Sequence, residues 1–303
     1  LTDVRASVLL RQTDDFLFVS TDREQARRFV QRMHAGSTEY GLSVNPEKSA
    51  VNFDVSVATD DGREGQCVPR FDLESPLGLL PWCGLLFDPR TGEVRSNHLQ
   101  YGQPNGLETL RATLTVERSV KPGVALRKRV KQAVRPRIHA LLLDATIQPY
   151  ATVLLNFHES FLLAAAKMVL LAAELKHPPS SSPAIAAFYV GTVLEAVDFG
   201  YFLALGKAGV HSRLSREGGC DCPVSRGEVR WLGLHAFAFM TGGAPAALGF
   251  GRVRRRLCRT LHECEGGLQA CDLLRRAVLP VRERSPWAEH LRTALQEGTV
   301  PAR

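Results

Sequence analysis

The residues best suited to chemistry stand near the start of the chain, where Asp14 and Asp15 are adjacent. Neighbouring carboxylates repel and raise each other's pKa, a cost that a divalent cation removes. Mg²⁺ suits such a pair, since it takes one or two carboxylates together with substrate phosphates. Two such ions about 3.5–4 Å apart would stabilise both the attacking and the leaving oxygen of a phosphoryl transfer. Taken alone, the dipeptide reads as a solvated turn, because Asp is common in turns. Its surroundings carry the rest of the signal.

Val8-Leu9-Leu10 and Phe16-Leu17-Phe18-Val19 are apolar runs flanking Thr13-Asp14-Asp15, a pattern that predicts a hairpin with acidic residues at its tip. Thr21-Asp22-Arg23-Glu24 has the spacing of a capping box. Behind it, Ala26, Phe29, Val30 and Met33 share one helical face that ends near Gly36. Residues 40–44 and 49–53 are strand candidates around a turn at Asn45-Pro46. Residues 54–76 are polar, acidic and without period, and read as an insertion loop. A second hairpin is expected, with 81–87 as one arm, 88–92 as its turn and 93–95 as the other arm.

Beyond about residue 120 the apolar period lengthens. Val130, Val134, Ile138, Leu141 and Leu142 share a face, and helices are expected at 150–176, 184–206, 227–241, 250–264 and 268–279. Trp231, Leu234, Phe237 and Ala238 read as core positions of the third of these. Strands followed by helices predict an α+β first part and an all-α second part.

At 303 residues the chain can hold two domains. Its 45% hydrophobic and 23% charged content is that of an ordinary soluble globular protein, and the net charge of +7 is compatible with a polyanionic partner. The apolar run 161–173 is broken by Lys167 and falls short of the ~18–20 residues that span a bilayer, so no membrane partner is expected. Seven irregularly spaced cysteines fit a reducing compartment better than a disulfide framework. The opening Leu1-Thr2-Asp3-Val4 carries no signal-peptide pattern and no start Met, as expected of an excised or processed piece.

Three ordered segments carry a resemblance to a known family. Leu9-Leu10-Arg11-Gln12-Thr13-Asp14-Asp15-Phe16-Leu17-Phe18-Val19 resembles motif C of telomerase reverse transcriptases. Tyr40-Gly41-Leu42-Ser43-Val44-Asn45-Pro46-Glu47-Lys48-Ser49-Ala50-Val51-Asn52-Phe53 resembles motif D, and Leu80-Pro81-Trp82-Cys83-Gly84-Leu85-Leu86-Phe87-Asp88 resembles motif E, the primer grip. The likeness continues through Leu110-Arg111-Ala112-Thr113-Leu114-Thr115 and the basic stretch after it, and fades around Val229-Arg230-Trp231-Leu232.

The resemblance implies the C-terminal portion of a reverse-transcriptase palm over 1–115 and a helical thumb, or C-terminal extension, over 116–303. Asp14 and Asp15 would be catalytic and hold Mg²⁺, in a two-metal site completed by an Asp upstream of Leu1. Lys48 matches the motif D lysine proposed to protonate the leaving pyrophosphate, although a solvated turn lysine is as good a reading of the residue itself. Trp82, Cys83, Gly84 and Leu85 would lie under the primer 3′ end, Gly permitting close backbone approach and Trp giving a rigid wedge. Simple core packing of Trp82 is compatible with that role. The implied protein is a nuclear RNA-directed DNA polymerase that extends telomere ends. Its partners would be telomerase RNA, the telomeric DNA primer, the RNA–DNA hybrid, dNTP, and the fingers, upstream palm and RNA-binding domain of the same protein. A Penelope-like retroelement reverse transcriptase shares this reading of the fold, and a module that only binds nucleic acid is the alternative from a different class.

Residues 111–139 contain nine Lys or Arg against one acid, Glu117. Lys121-Pro122-Gly123 turns into a helix bearing Arg127, Lys128 and Lys131, and cations at a helix start make a phosphate-binding surface. With a primer grip before it, this stretch resembles the thumb elements that track the backbone of a hybrid. Arg252, Arg254, Arg255, Arg256 and Arg259 form a second cluster, better read as a solvated helix face. Cys220, Cys222, His262 and Cys264 fit no standard zinc spacing.

Overall fold

The computed structural model describes residues 6–41, 43–57, 66–68, 78–114, 121–175, 178–214, 222–267 and 271–298. Leu42, most of the expected insertion loop (58–65 and 69–76), Thr115, Glu117, Arg118, Cys220 and Asp221 lie outside them. The chain divides into two compact units, Leu1–Gly92 and Glu93–Arg303.

In the first unit, β1 (Ser7–Gln12) pairs antiparallel with β2 (Asp15–Ser20), Gln12 opposite Asp15. Thr13 and Asp14 therefore form the two-residue tip, Thr13 with a φ of 55°. Helix α1 (Arg23–His34) lies against β2, with Phe18 stacked on Phe29 at 4.5 Å. Its cap is Asp22, which accepts from Glu24 N at 2.8 Å, and not the Thr21 box expected from sequence. Thr21 is engaged elsewhere: its amide and its hydroxyl both donate to the carbonyl of Ala6.

Among the described residues of 40–44 and 49–53 no strand forms. The chain makes 3₁₀ turns at Thr38–Tyr40 and Pro46–Lys48, and at the second the Asn45 side chain accepts from Glu47 N at 2.9 Å and closes the backbone locally. Within the expected insertion loop, β3 (Ser56–Val57) pairs antiparallel with β4 (Gln66–Cys67). Val51, Val55, Val57 and Val68 are buried together beside Val30 and Phe53, a small core hidden among polar neighbours in the sequence. The arm expected over 81–87 folds back on itself. Strands β5 (Leu80–Trp82) and β6 (Leu85–Phe87) pair with Trp82 opposite Leu85. Cys83 and Gly84 make the turn with φ of 47° and 78°, the positive angles that a two-residue hairpin turn favours.

The second unit opens with β7 (Val94–Ser96) and α2 (Gly106–Ala112), followed by α3 (Pro122–Val134), α4 (Ala140–Leu143), α5 (Tyr150–Ala173), α6 (Pro183–Leu214) and α7 (Arg226–Thr241). Helices α8 (Gly251–Glu265), α9 (Cys271–Val278), α10 (Val281–Arg284) and α11 (Pro286–Gly298) complete it. The five long helices expected from periodicity are present, whereas α11 was not anticipated. Sequence places a domain boundary at 115/116, while contacts divide the chain at Gly92/Glu93, because α2 packs on α5 and α11.

Helix α5 is the axis of this unit, flanked by α3, α7 and α9. Among the described residues two helices are long and apolar enough to cross a membrane, α5 and the Pro183–Gly206 part of α6, though the apolar run 161–173 in the sequence is shorter. The α5 window is 94% buried within the protein, the environment of a core helix, and the α6 window 39%. Helix α7 starts with a complete capping box between Ser225 and Glu228, and Glu228 also accepts from the Tyr150 hydroxyl at 2.7 Å.

Candidate active site and nucleic-acid interface

The β1–β2 and β5–β6 hairpins of the first unit meet at their turns. Cys83 Sγ lies 3.6 Å from Asp15 Oδ2, so the thiol donates to the carboxylate across 68 positions of sequence. Desolvation first, and then the hydrogen bond and charge of Asp15, hold the Cys83 thiol above its ordinary pKa. Asp14 and Asp15 are exposed on the strained tip, which Arg11 braces by donating from Nε to Thr13 O at 2.7 Å. Arg11 also lies over the Phe16 ring at 5.3 Å.

This donor set suits Mg²⁺. Two exposed carboxylates are the number a hard ion takes beside phosphate oxygens. Among the described residues no third His, Cys, Asp or Glu joins them in a metal-holding group. The nearby thiol is a soft ligand, unsuited to Mg²⁺, and acts here as a hydrogen-bond donor.

Trp82, Cys83 and Leu85 are half-buried and Gly84 is exposed at the turn. The Trp82 ring packs at 57° to Phe87, with 6.2 Å between centroids, and its buried Nε1 has no hydrogen-bond partner among the described residues. Lys48 ends the second 3₁₀ turn and is exposed. Among the described residues no hydrogen bond or ion pair joins it to either aspartate.

In the second unit, α3 buries Leu126, Val130, Ala133 and Val134. Lys121 precedes the helix, and Pro122 starts it, where a missing N–H costs nothing. Arg127, Lys128 and Lys131 stand off the buried face, but they are not equivalent. Arg127 Nη1 lies 2.8 Å from Glu195 Oε1, and Lys131 Nζ lies 3.0 Å from Glu195 Oε2. Arg127 also sits over the Phe188 ring at 4.7 Å. Lys128 is exposed and, among the described residues, has no ion pair. Among the described residues, Arg127 and Lys131 are thus engaged by a carboxylate of α6 and Lys128 is in no ion pair. Glu195 was not found in the sequence, because its relation to α3 exists only once the two helices pack.

The second arginine cluster lies on α8, exposed at 252, 254, 255, 256 and 259 around the buried Val253 and Leu257, as a solvated face would be. His262 lies 3.7 Å from Glu265, on the same helix.

A family model for the telomerase reverse transcriptase C-terminal extension matches residues 124–245. The telomerase reverse transcriptase of Bos taurus is 35% identical over 233 residues, covering 76% of this chain and 19% of that protein. That of Canis lupus familiaris is 34% identical over 234 residues, with 76% and 19% covered. That of Arabidopsis thaliana is 34% identical over 161 residues, with 52% and 13% covered. The chain spans about a fifth of the length of the first two of these relatives.

Proposed function

Since the chain belongs to the telomerase reverse transcriptase family, corresponding to its C-terminal region, we propose that it supplies catalytic carboxylates, a primer grip and hybrid-holding helices to an RNA-templated DNA polymerase. In this reading residues 1–115 are the C-terminal part of the palm and residues 116–303 the thumb, or C-terminal extension. The observation that carries it is the 3.6 Å contact between Cys83 and Asp15, which brings the motif resembling a primer grip onto the motif resembling a metal site.

Asp14 and Asp15 would hold Mg²⁺, which when bound supplies charge stabilisation at the reacting phosphate. The turn at Cys83 and Gly84 places backbone beside the carboxylates, where a primer terminus would be held for in-line attack of its 3′-hydroxyl on a dNTP. Cys83 orients the Asp15 carboxylate through its thiol. The Lys48 ammonium would reach the triphosphate of a bound nucleotide and give its proton to the leaving pyrophosphate. A third carboxylate, the fingers, the template-gripping motifs and the RNA-binding domain would come from elsewhere in the polypeptide. Lys121, Arg127, Lys128 and Lys131 would follow the backbone of the RNA–DNA hybrid, a contact dominated by electrostatics. Telomerase RNA, a telomeric primer and a nuclear location complete the proposal.

The test uses the full-length polymerase. Asp14→Ala should abolish primer extension while leaving hybrid binding nearly unchanged, and retained extension would overturn the catalytic assignment. The 303-residue chain by itself should bind a hybrid in a salt-sensitive way and incorporate no dNTP.

A further inference from the structure

We propose that Glu195 occupies a phosphate position on α3 as an internal anion, so that nucleic acid binds there by exchanging a backbone phosphate for the Glu195 carboxylate. The inference rests on the hybrid-binding role given above to α3.

Arg127 and Lys131 are one helical turn apart, and the two oxygens of Glu195 are divided between them at 2.8 and 3.0 Å. A bridging phosphate would make the same two contacts, one oxygen to a guanidinium and one to an ammonium. The carboxylate is not sequestered: the side chains of Arg127, Lys131 and Glu195 are 39%, 36% and 40% exposed. Exposed pairs of this kind contribute only about 0–1 kcal/mol, so a phosphate can displace the carboxylate at little cost.

Phe188 and Glu195 lie at helical spacing on one face of α6, with Gly191 between them. Phe188 carries the Arg127 guanidinium on its ring at 4.7 Å, independently of Glu195. At Gly191 the nearest group to an added Cβ is Arg127 Nη2, at 3.9 Å, so the guanidinium lies across the place where a side chain would be. Arg127 therefore stays positioned when its carboxylate partner leaves. Two effects of removing Glu195 oppose each other: the cations gain charge toward phosphate and lose one tether. The tether is an exposed ion pair and Phe188 remains, so the charge effect prevails. Glu195 is accordingly a positioning residue that lowers the affinity of α3 for polyanions and makes binding there conditional on a phosphate that can meet both cations together.

The experiment measures binding of a fluorescent RNA–DNA hybrid to the full 303-residue chain across a salt series, for wild type, Glu195→Gln, Lys128→Ala and the double variant Arg127→Ala/Lys131→Ala with and without Glu195→Gln. Glu195→Gln should tighten binding by about 3–10-fold at low salt, with a smaller gain as salt screens the charges. In the Arg127→Ala/Lys131→Ala background the gain should vanish, a result that a general change in folding or net charge would not produce. If Lys128→Ala weakens binding while Glu195→Gln leaves it unchanged or weaker, the exchange is wrong and the hybrid-binding role of α3 stands. If neither variant nor the double one alters affinity, that role itself fails. A gain of equal size in the double-alanine background would also overturn the exchange.

Discussion

Arg95 places a guanidinium nitrogen 2.6 Å from Oε1 of Glu159, in the interior of the second unit. The same oxygen accepts from Ser285 Oγ at 2.8 Å and Trp287 Nε1 at 3.2 Å, and Arg95 also donates to the carbonyl of Arg284 at 2.9 Å. One carboxylate on α5 thus ties β7, at the start of this unit, to the helices at its end. Glu159→Ala leaves the guanidinium half-buried without its carboxylate and should cost about 3–5 kcal/mol, the typical loss on breaking a buried pair from one side. Denaturant unfolding monitored in the same buffer as wild type measures it, and a loss below about 1 kcal/mol would show that water replaces the carboxylate. Burial pushes the Glu159 carboxyl upward, but the charge of Arg95 and the hydrogen bonds to it bring it below its ordinary value. Its contribution is therefore full above the unfolded carboxylate range and is lost as pH falls through the lower folded value.

His98 gives the complementary acid response. It is 1% exposed, neither ring nitrogen has a hydrogen-bond partner among the described residues, and the ring lies against Trp287 with centroids 4.6 Å apart. Burial, the largest cause, pulls its pKa down to about 4. Between about pH 6.5 and 4 the unfolded chain takes up a proton at this site that the folded chain refuses. Stability should fall over that window by up to ~1.4 kcal/mol per pH unit per such histidine. His235, drawn down to about 4, and His158, drawn further, add to the same slope. His98→Phe should leave stability at pH 7 near wild type, since no hydrogen bond is lost, and should make the slope shallower. Melting temperatures collected from pH 4 to 7 decide this, and an unchanged slope would mean that His98 is not neutral in the fold.

What could be read from sequence followed the reach of each signal. The hairpin at Asp14 was legible because its apolar arms and polar tip are contiguous, and α5 and α7 because their period repeats over many turns. The turn at Cys83-Gly84 was hidden, since Leu85-Leu86-Phe87 continues the apolar run begun before it and strands of three residues carry no alternation. Val55, Val57 and Val68 were lost among polar residues because their core is assembled from separate segments. Asp22 displaced Thr21 as the helix cap because the carbonyl of Ala6, distant in sequence, claims the threonine. The Asp15–Cys83 contact and the Glu195 bridge depend on two elements meeting, which spacing along the chain does not encode.

Helices α6 and α7 approach closely at Gly233, where an added Cβ would collide with the side chain of Val197. Gly233 is buried and mid-helix, so Ala would improve helix propensity by about 1 kcal/mol and yet overpack the contact by about 1–3 kcal/mol. The net expectation for Gly233→Ala is a loss of stability, and the pair Gly233→Ala/Val197→Ala should recover part of it by vacating the colliding methyl groups. A double-mutant cycle in denaturant reads the coupling, and additive effects would show that the helices do not touch there.

The contact between the two tips can be tested without catalysis. Only the thiolate reacts quickly with a maleimide, so anything that holds the Cys83 thiol protonated slows its alkylation. Desolvation, followed by the hydrogen bond and charge of Asp15, does so here. Asp15→Asn removes the charge and should raise the alkylation rate of Cys83 several-fold at neutral pH with divalent cations chelated. Peptide mass spectrometry distinguishes Cys83 from the exposed Cys258, whose rate should not respond. An equal rate at Cys83 in the two proteins would mean that the carboxylate and the thiol stand apart in solution, and with them the Thr13-Asp14 tip and the Cys83-Gly84 turn.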